Sequence, residues 1–120
     1  MGYDLEERAF AFAVEVRSFL KKLPKTTANL EDGRQLVRSS GSVGANYIEA
    51  NEKVSKADFI YRIRVCKKEA KESTYWLRLI DSDESVELDK ERQRLMSESV
   101  ELAKIFGAIL KKWTDDSSEG

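Results

Sequence analysis

The apolar positions of this chain recur at helical steps. From Leu5 to Leu23 the residues Leu5, Ala9, Phe12, Val16, Phe19 and Leu23 are spaced 4-3-4-3-4, the seam of a helix that packs in a bundle. Pro24 stops it, because proline lacks the amide a continuing helix needs. Phe59, Ile63, Cys66, Ala70, Ser73, Leu77 and Ile80 repeat the same spacing without a miss and predict a third helix. Its start is marked by Ser55-Lys56-Ala57-Asp58, a capping box with Asp in place of the usual Glu. After the polar turn Asp81-Ser82-Asp83-Glu84-Ser85, the positions Leu88, Leu95, Ser99, Leu102, Phe106, Ile109 and Trp113 mark one face of a last helix that ends near Trp113.

The second helix is the unusual one. Thr27 or Asn29 can cap it, and it is expected from about Leu30 to Asn51, straight through the Gly/Ser-rich run Arg38-Ser39-Ser40-Gly41-Ser42-Val43-Gly44-Ala45-Asn46. Gly33, Val37, Gly41 and Ala45 fall at i, i+4 on one stripe, bordered by Ser40 and Gly44. Each interior glycine costs about 1 kcal/mol relative to alanine, so the stripe calls for a packing or functional reason, and close helix approach is the expected one. On that reading Gly41→Leu weakens helix packing or assembly by roughly 1–3 kcal/mol through steric clash. A phosphate-binding loop is the rival, but neither a Gly-Lys-Ser/Thr turn nor a βαβ context is present.

Helices joined by connections this short run antiparallel to their sequence neighbours. The expected fold is therefore all-α, an antiparallel up-down-up-down four-helix bundle, with residues 1–114 forming one domain. Residues 115–120, short and acidic, are expected as a disordered tail.

Composition narrows the chemistry. The chain has 120 residues, 36% of them charged, with one proline, one cysteine and no histidine. Without histidine the commonest general base and metal ligand are missing, and no nucleophile–base pair or metal cluster can be assembled. The expectation is a protein that is not an enzyme, with no catalytic residue, no metal and no cofactor. Cys66 lies on an apolar stripe and reads as a small buried hydrophobe. No apolar run spans a membrane and no secretion signal opens the chain, so the expected place is the cytoplasm, with no membrane partner.

Charge is uneven although the net charge is −1. Between Lys53 and Arg78 the bases Lys53, Lys56, Arg62, Arg64, Lys67, Lys68, Lys71 and Arg78 outnumber Asp58, Glu69 and Glu72. Arg64, Lys68 and Lys71 share a helical face with Lys67 alongside, a row able to track a phosphate backbone. Arg17, Lys21 and Lys22 form a second basic group at the end of the first helix. The alternative is a solvated face neutralised by the acids between Asp81 and Glu101. Tyr47, Tyr61, Tyr75 and Trp76 either stack on bases or belong to the core and interfaces.

A second polar set comprises Arg38, Asn46, Glu49, Arg62, Glu69 and Glu72. Two glutamates on bundle helices can bind metal, but a di-iron bundle also needs Glu-x-x-His pairs. The expected arrangement is an ion-pair network, Arg38 or Arg62 facing Glu49, Glu69 or Glu72.

These residues carry a resemblance. Gln35-x-x-Arg38-Ser39-x-Gly41-Ser42-Val43-Gly44-Ala45-Asn46-Tyr47-x-Glu49-Ala50, then Ala57-Asp58-Phe59-Ile60, then Lys68-Glu69-Ala70-x-Glu72-Ser73-x-Tyr75-Trp76-Leu77 resembles the 23S rRNA intervening-sequence proteins, some of which are named S23 ribosomal proteins. The resemblance covers the first three helices; the fourth is matched by pattern alone. It implies an antiparallel four-helix bundle assembling into a ring-like homopentamer, related to nucleic-acid-binding accessory proteins of diversity-generating retroelements. Carried over by position, Arg38, Gly41, Gly44, Asn46, Glu49, Glu69 and Glu72 are structural or interface residues. The chain departs from the more basic retroelement proteins in its acidic fourth helix and tail.

The functional expectation is a homo-oligomer that binds structured RNA or DNA through Arg64, Lys67, Lys68 and Lys71, supplemented by Arg17, Lys21 and Lys22. The alternative is a protein-interaction scaffold or a retroelement accessory protein without RNA specificity of its own. Surplus apolar residues support association in either case: Phe10, Val14 and Leu20 on the first helix, and Met96, Val100, Ala103 and Leu110 on the last.

Overall fold

In a computed structural model that describes residues 4–52 and 55–119, the chain forms α1 (Leu5–Lys21), α2 (Thr27–Ala50), α3 (Lys56–Leu79) and α4 (Val86–Glu119). Lys53 and Val54 of the α2–α3 connection, and Gly120, lie outside the described residues. Each helix packs on its chain neighbours, α4 closes back on α1, and the backbones of the diagonal pairs α1/α3 and α2/α4 stay apart. This is the expected all-α bundle of antiparallel neighbours.

The seams read from the sequence form the core. Ala9, Phe12, Val16 and Phe19 of α1 are buried together with Ile63, Cys66, Ala70 and Leu77 of α3 and Leu95, Leu102 and Phe106 of α4. Helix α2 contributes Leu36, Val43 and Ala50 and packs most extensively against α3. Small hydroxyl residues permit that approach. The Ser39 and Ser73 hydroxyls meet at 2.8 Å, and the Cys66 thiol donates to the Val43 carbonyl at 3.4 Å, so these three groups, taken out of water at the α2–α3 contact, each gain a partner.

Caps explain the boundaries, and some correct the sequence reading. Asp4 caps α1 by accepting from the Glu6 amide, and Ser55 caps α3 by accepting from the Asp58 amide, as the capping box predicts. Helix α2 begins a turn earlier than expected, because Thr26 rather than Thr27 or Asn29 is the cap and accepts from the Asn29 amide. Asn29 does other work. Its Nδ2 donates to the carbonyls of Pro24 and Asp81, and its Oδ1 accepts from the Asp81 amide. One buried side chain thus ties the α1–α2 loop to the α3–α4 turn at the same end of the bundle. In that turn Asp83 and Glu84 have φ of 55° and 61°, the left-handed pair of a type I′ turn closed by the Ser85 amide on the Ser82 carbonyl.

Helix α4 runs through Glu119, past the expected end at Trp113 and into the tail that was expected to be disordered. No breaker separates Trp113 from Glu119, and the Thr114 hydroxyl turns back to the Leu110 carbonyl instead of capping a terminus.

The small stripe of α2 divides in two. A Cβ on Gly33 would meet Leu20 at 3.4 Å, and one on Gly44 would meet the Ala9 Cβ at 3.5 Å, so these glycines sit close under α1. Gly41 faces only the tip of Arg17, at 3.3 Å, and Ala45 is exposed.

Candidate nucleic-acid interface

Arg64, Lys67, Lys68 and Lys71 lie on successive turns of α3, and at about 100° per residue they stay on its outward side. The structure brings all four around one groove, together with Glu72, Tyr75, Trp76 and Leu110. Its volume is about 750 Å³. Lys67 and Lys71 also border the adjoining groove between α3 and α4, where Val100, Ala103 and Gly107 line the floor and Lys104 adds another cation. Arg64, Lys68 and Lys71 are exposed and Lys67 is half-buried, its stem lying 3.7 Å from the position a Gly107 Cβ would take.

The acids of α4 do not neutralise this row. Glu98 pairs with Arg8 at 2.7 Å, Glu91 pairs with Lys22 at 2.7 Å, and Arg94 reaches back to Glu15 at 2.9 Å, all across the α1–α4 face. Asp89 is held by Arg92 within its own helix, and that hydrogen bond keeps its carboxyl below the ordinary value. While α4 turns Glu91 and Glu98 toward α1, another side of it meets α3 with Lys104, Val100 and Gly107. Among the described residues, none of Arg64, Lys67, Lys68 or Lys71 makes an ion pair. Of the acids between Asp81 and Glu101, Asp89, Glu91 and Glu98 are thus paired elsewhere than with this row.

The second basic group does not join the first. Arg17, Lys21 and Lys22 are on α1, diagonally across the bundle from α3. Arg17 lies along the α1–α2 groove and donates to the carbonyls of Ala13 and Val37, Lys21 is exposed, and Lys22 is engaged by Glu91. Position along the chain could not show this, since it depends on the order of the helices around the bundle.

The polar motif is structural in its geometry. Arg38 reaches from α2 to α3 and donates to both oxygens of Glu69, at 3.2 and 3.4 Å, and to Glu72 at 3.0 Å. The Glu69 hydrogen bond raises the Arg38 guanidinium above its ordinary value. Glu69 is buried and would be costly as an isolated charge. Arg62 answers the Asn46 side chain, whose Oδ1 accepts at 2.9 Å while its Nδ2 donates to the Ser42 carbonyl. Of the two arginines expected to face these carboxylates, Arg38 is the one that does, Arg62 takes the amide link instead, and Glu49 remains exposed outside the network. Both carboxylates that could serve a metal, Glu69 and Glu72, are already occupied by Arg38. Burial pushes the Cys66 thiol up to about 12, so it stays a neutral hydrophobe at neutral pH.

The aromatic residues separate by environment. Tyr47 packs on Phe106 with ring centroids 5.9 Å apart, and Trp113 packs on Phe59 at 4.5 Å. Tyr61 and Tyr75 are exposed, at 57% and 53%. Tyr75 and Trp76, two of the aromatic residues the sequence offers for base stacking, line the groove of the basic row, and Lys104, which the sequence reading did not single out, borders the adjoining one. Tyr75 and Trp76 had a signal, since they sit one turn beyond Lys71 on the same helix; Lys104 had none, because it arrives from another helix.

Chains of known structure share this arrangement. A protein of unknown function from the S23 ribosomal protein family of Bacteroides thetaiotaomicron is 31% identical, with a TM-score of 0.77 over 90% of this chain and 99% of that one. No curated protein matches the chain. The family described as 23S rRNA-intervening sequence protein matches residues 3–108, from α1 well into α4. With most of its length inside that match and its helices superposing on an S23-family bundle, the chain belongs to the 23S rRNA-intervening sequence protein family.

Proposed function

We propose that this protein is a non-enzymatic, homo-oligomeric RNA-binding bundle whose contact surface is the row Arg64, Lys67, Lys68 and Lys71. The observation that carries the reading is the absence of an ion-pair partner for these residues among the described ones, while Glu91 and Glu98 of α4 are engaged on the α1 side. A surface of unpaired cations beside a groove gains free energy from phosphates chiefly by releasing their condensed counterions. Contacts of this type position a nucleic acid without reading its sequence. The family name adds a ribosomal RNA context, which makes ribosomal RNA fragments the first ligands to try. Association through the apolar α1–α2 face completes the proposal, with a pentamer as the assembly implied by family resemblance.

The test is a filter-binding or gel-shift titration of ribosomal RNA fragments at low salt. The parent should retain RNA at micromolar protein. The Arg64→Ala, Lys68→Ala, Lys71→Ala triple variant should bind weakly and flatten the slope of log K against log salt by roughly 2–3. No retention by the parent would overturn the reading.

A further inference from the structure

The basic row is bracketed by exposed rings, which bears on the kind of RNA it can hold. Tyr61, Arg64, Lys68, Lys71 and Tyr75 occupy one outward strip of α3; successive members are separated by about 4.5–6 Å along the axis, and the two tyrosines by about 21 Å, at a rise of about 1.5 Å per residue. Cations thus lie between two aromatic side chains, at steps on the scale of phosphate spacing in a single strand. Tyr75 is exposed, its ring standing edge-on to the Trp76 indole at a centroid distance of 5.0 Å. Tyr61 has the Arg62 guanidinium 5.5 Å from its ring centre. The one carboxylate on this groove, Glu72, is engaged by Arg38 at 3.0 Å.

We infer that this strip takes an unpaired, single-stranded segment of RNA, with a base stacked on Tyr75, a second on Tyr61, and the intervening phosphates on Arg64, Lys68 and Lys71. The inference rests on the RNA-binding reading above and narrows its ligand class. In a duplex the base faces are stacked inside, and a protein surface meets sugars, phosphates and base edges but no open base face, so exposed tyrosines would add little. In a single strand every base offers a face, and stacking on an aromatic side chain supplements the backbone contacts without demanding a sequence. Lysines and arginine alone would suit either form; the rings make the difference.

Fluorescence anisotropy with two labelled RNAs of equal nucleotide number, an unstructured 12-mer and a hairpin whose stem is closed by a non-nucleotide linker so that every base is paired, tests the inference at low salt. The parent should bind the unstructured strand about tenfold more tightly than the hairpin. Tyr75→Leu should weaken single-strand binding about tenfold and leave hairpin binding unchanged, whereas Tyr75→Trp, which keeps a ring, should retain the parent's affinity. Circular dichroism checks that the exposed substitutions leave the bundle folded. Equal affinity for both RNAs, or Tyr75→Leu binding the single strand as the parent does, would overturn the single-strand assignment alone. Binding to neither RNA would overturn the RNA reading itself.

Discussion

The buried carboxylate of Glu69 sets the terms for the polar motif. Glu69 is 6% exposed, and both its oxygens face Arg38, whose side chain is half-exposed. A carboxylate with so little water depends on its partner, so Arg38→Met should destabilise the bundle by about 2 kcal/mol, below the range of fully buried pairs because solvent screens the arginine. Adding Glu69→Gln should restore much of that loss, since it removes the orphaned charge. Glu72→Gln should cost little, its side chain being 39% exposed. Urea denaturation of the variants checks all of this, and a double variant no more stable than Arg38→Met would show that Glu69 is not held by this pair. The α2–α3 partnership was legible in the sequence because the residues recur at helical spacing. Which carboxylate answers which arginine was not, since Asn46 takes Arg62 by an amide contact that charge matching does not reveal.

At the scale of the helix, the glycines of α2 illustrate what periodicity can and cannot give. Their common stripe predicts close approach to a neighbour, and Gly33 and Gly44 do lie under α1. Gly41, on the same stripe, meets only the flexible end of Arg17. The expected overpacking at Gly41 therefore belongs at Gly44, where the Ala9 Cβ and the α1 backbone lie 3.5–4.0 Å from an added Cβ. Gly44→Leu should cost roughly 1–3 kcal/mol as the larger side chain is driven into α1. Gly41→Leu should unfold at nearly the parent's urea midpoint, because Arg17 can swing aside and leucine gains helix propensity of about 1 kcal/mol over glycine. A Gly44→Leu protein as stable as the parent would show that α1 yields at this point. The same limit applies to α4: its seam was visible, but its extension to Glu119 was not, since acids and serines carry no apolar period to follow.

For the whole molecule, the surplus apolar residues noted in the sequence have different fates. On α4, Ala103 is buried, Met96 and Leu110 pack against the core, and Val100 remains 39% exposed on the floor of the α3–α4 groove. On α1, Leu20 covers Gly33, but Phe10 is 64% exposed and Val14 47%. They line a groove with Ala13, Gly41, Ala45 and Ile48, and Leu30 stands exposed farther along α2. The surplus that the sequence spread over two helices is thus concentrated mainly on the α1–α2 face. That face lies away from the basic row on α3, so subunits associating through it would leave the proposed RNA surface open. Contiguous exposed apolar surface is uncommon on monomers, and this groove is where the proposed assembly should bury its contacts. Sedimentation velocity at tens of micromolar should show the parent well above its 13.7 kDa chain mass. Phe10→Glu should shift it toward that mass while leaving the helical signal intact, because Phe10 contributes little to the core yet would place a charge at the centre of the contact. Gly41→Leu should weaken assembly as well, by filling the groove without unfolding the subunit. A parent that sediments as a single chain removes the assembly, and a Phe10→Glu protein that stays fully associated moves the interface to another face of the bundle.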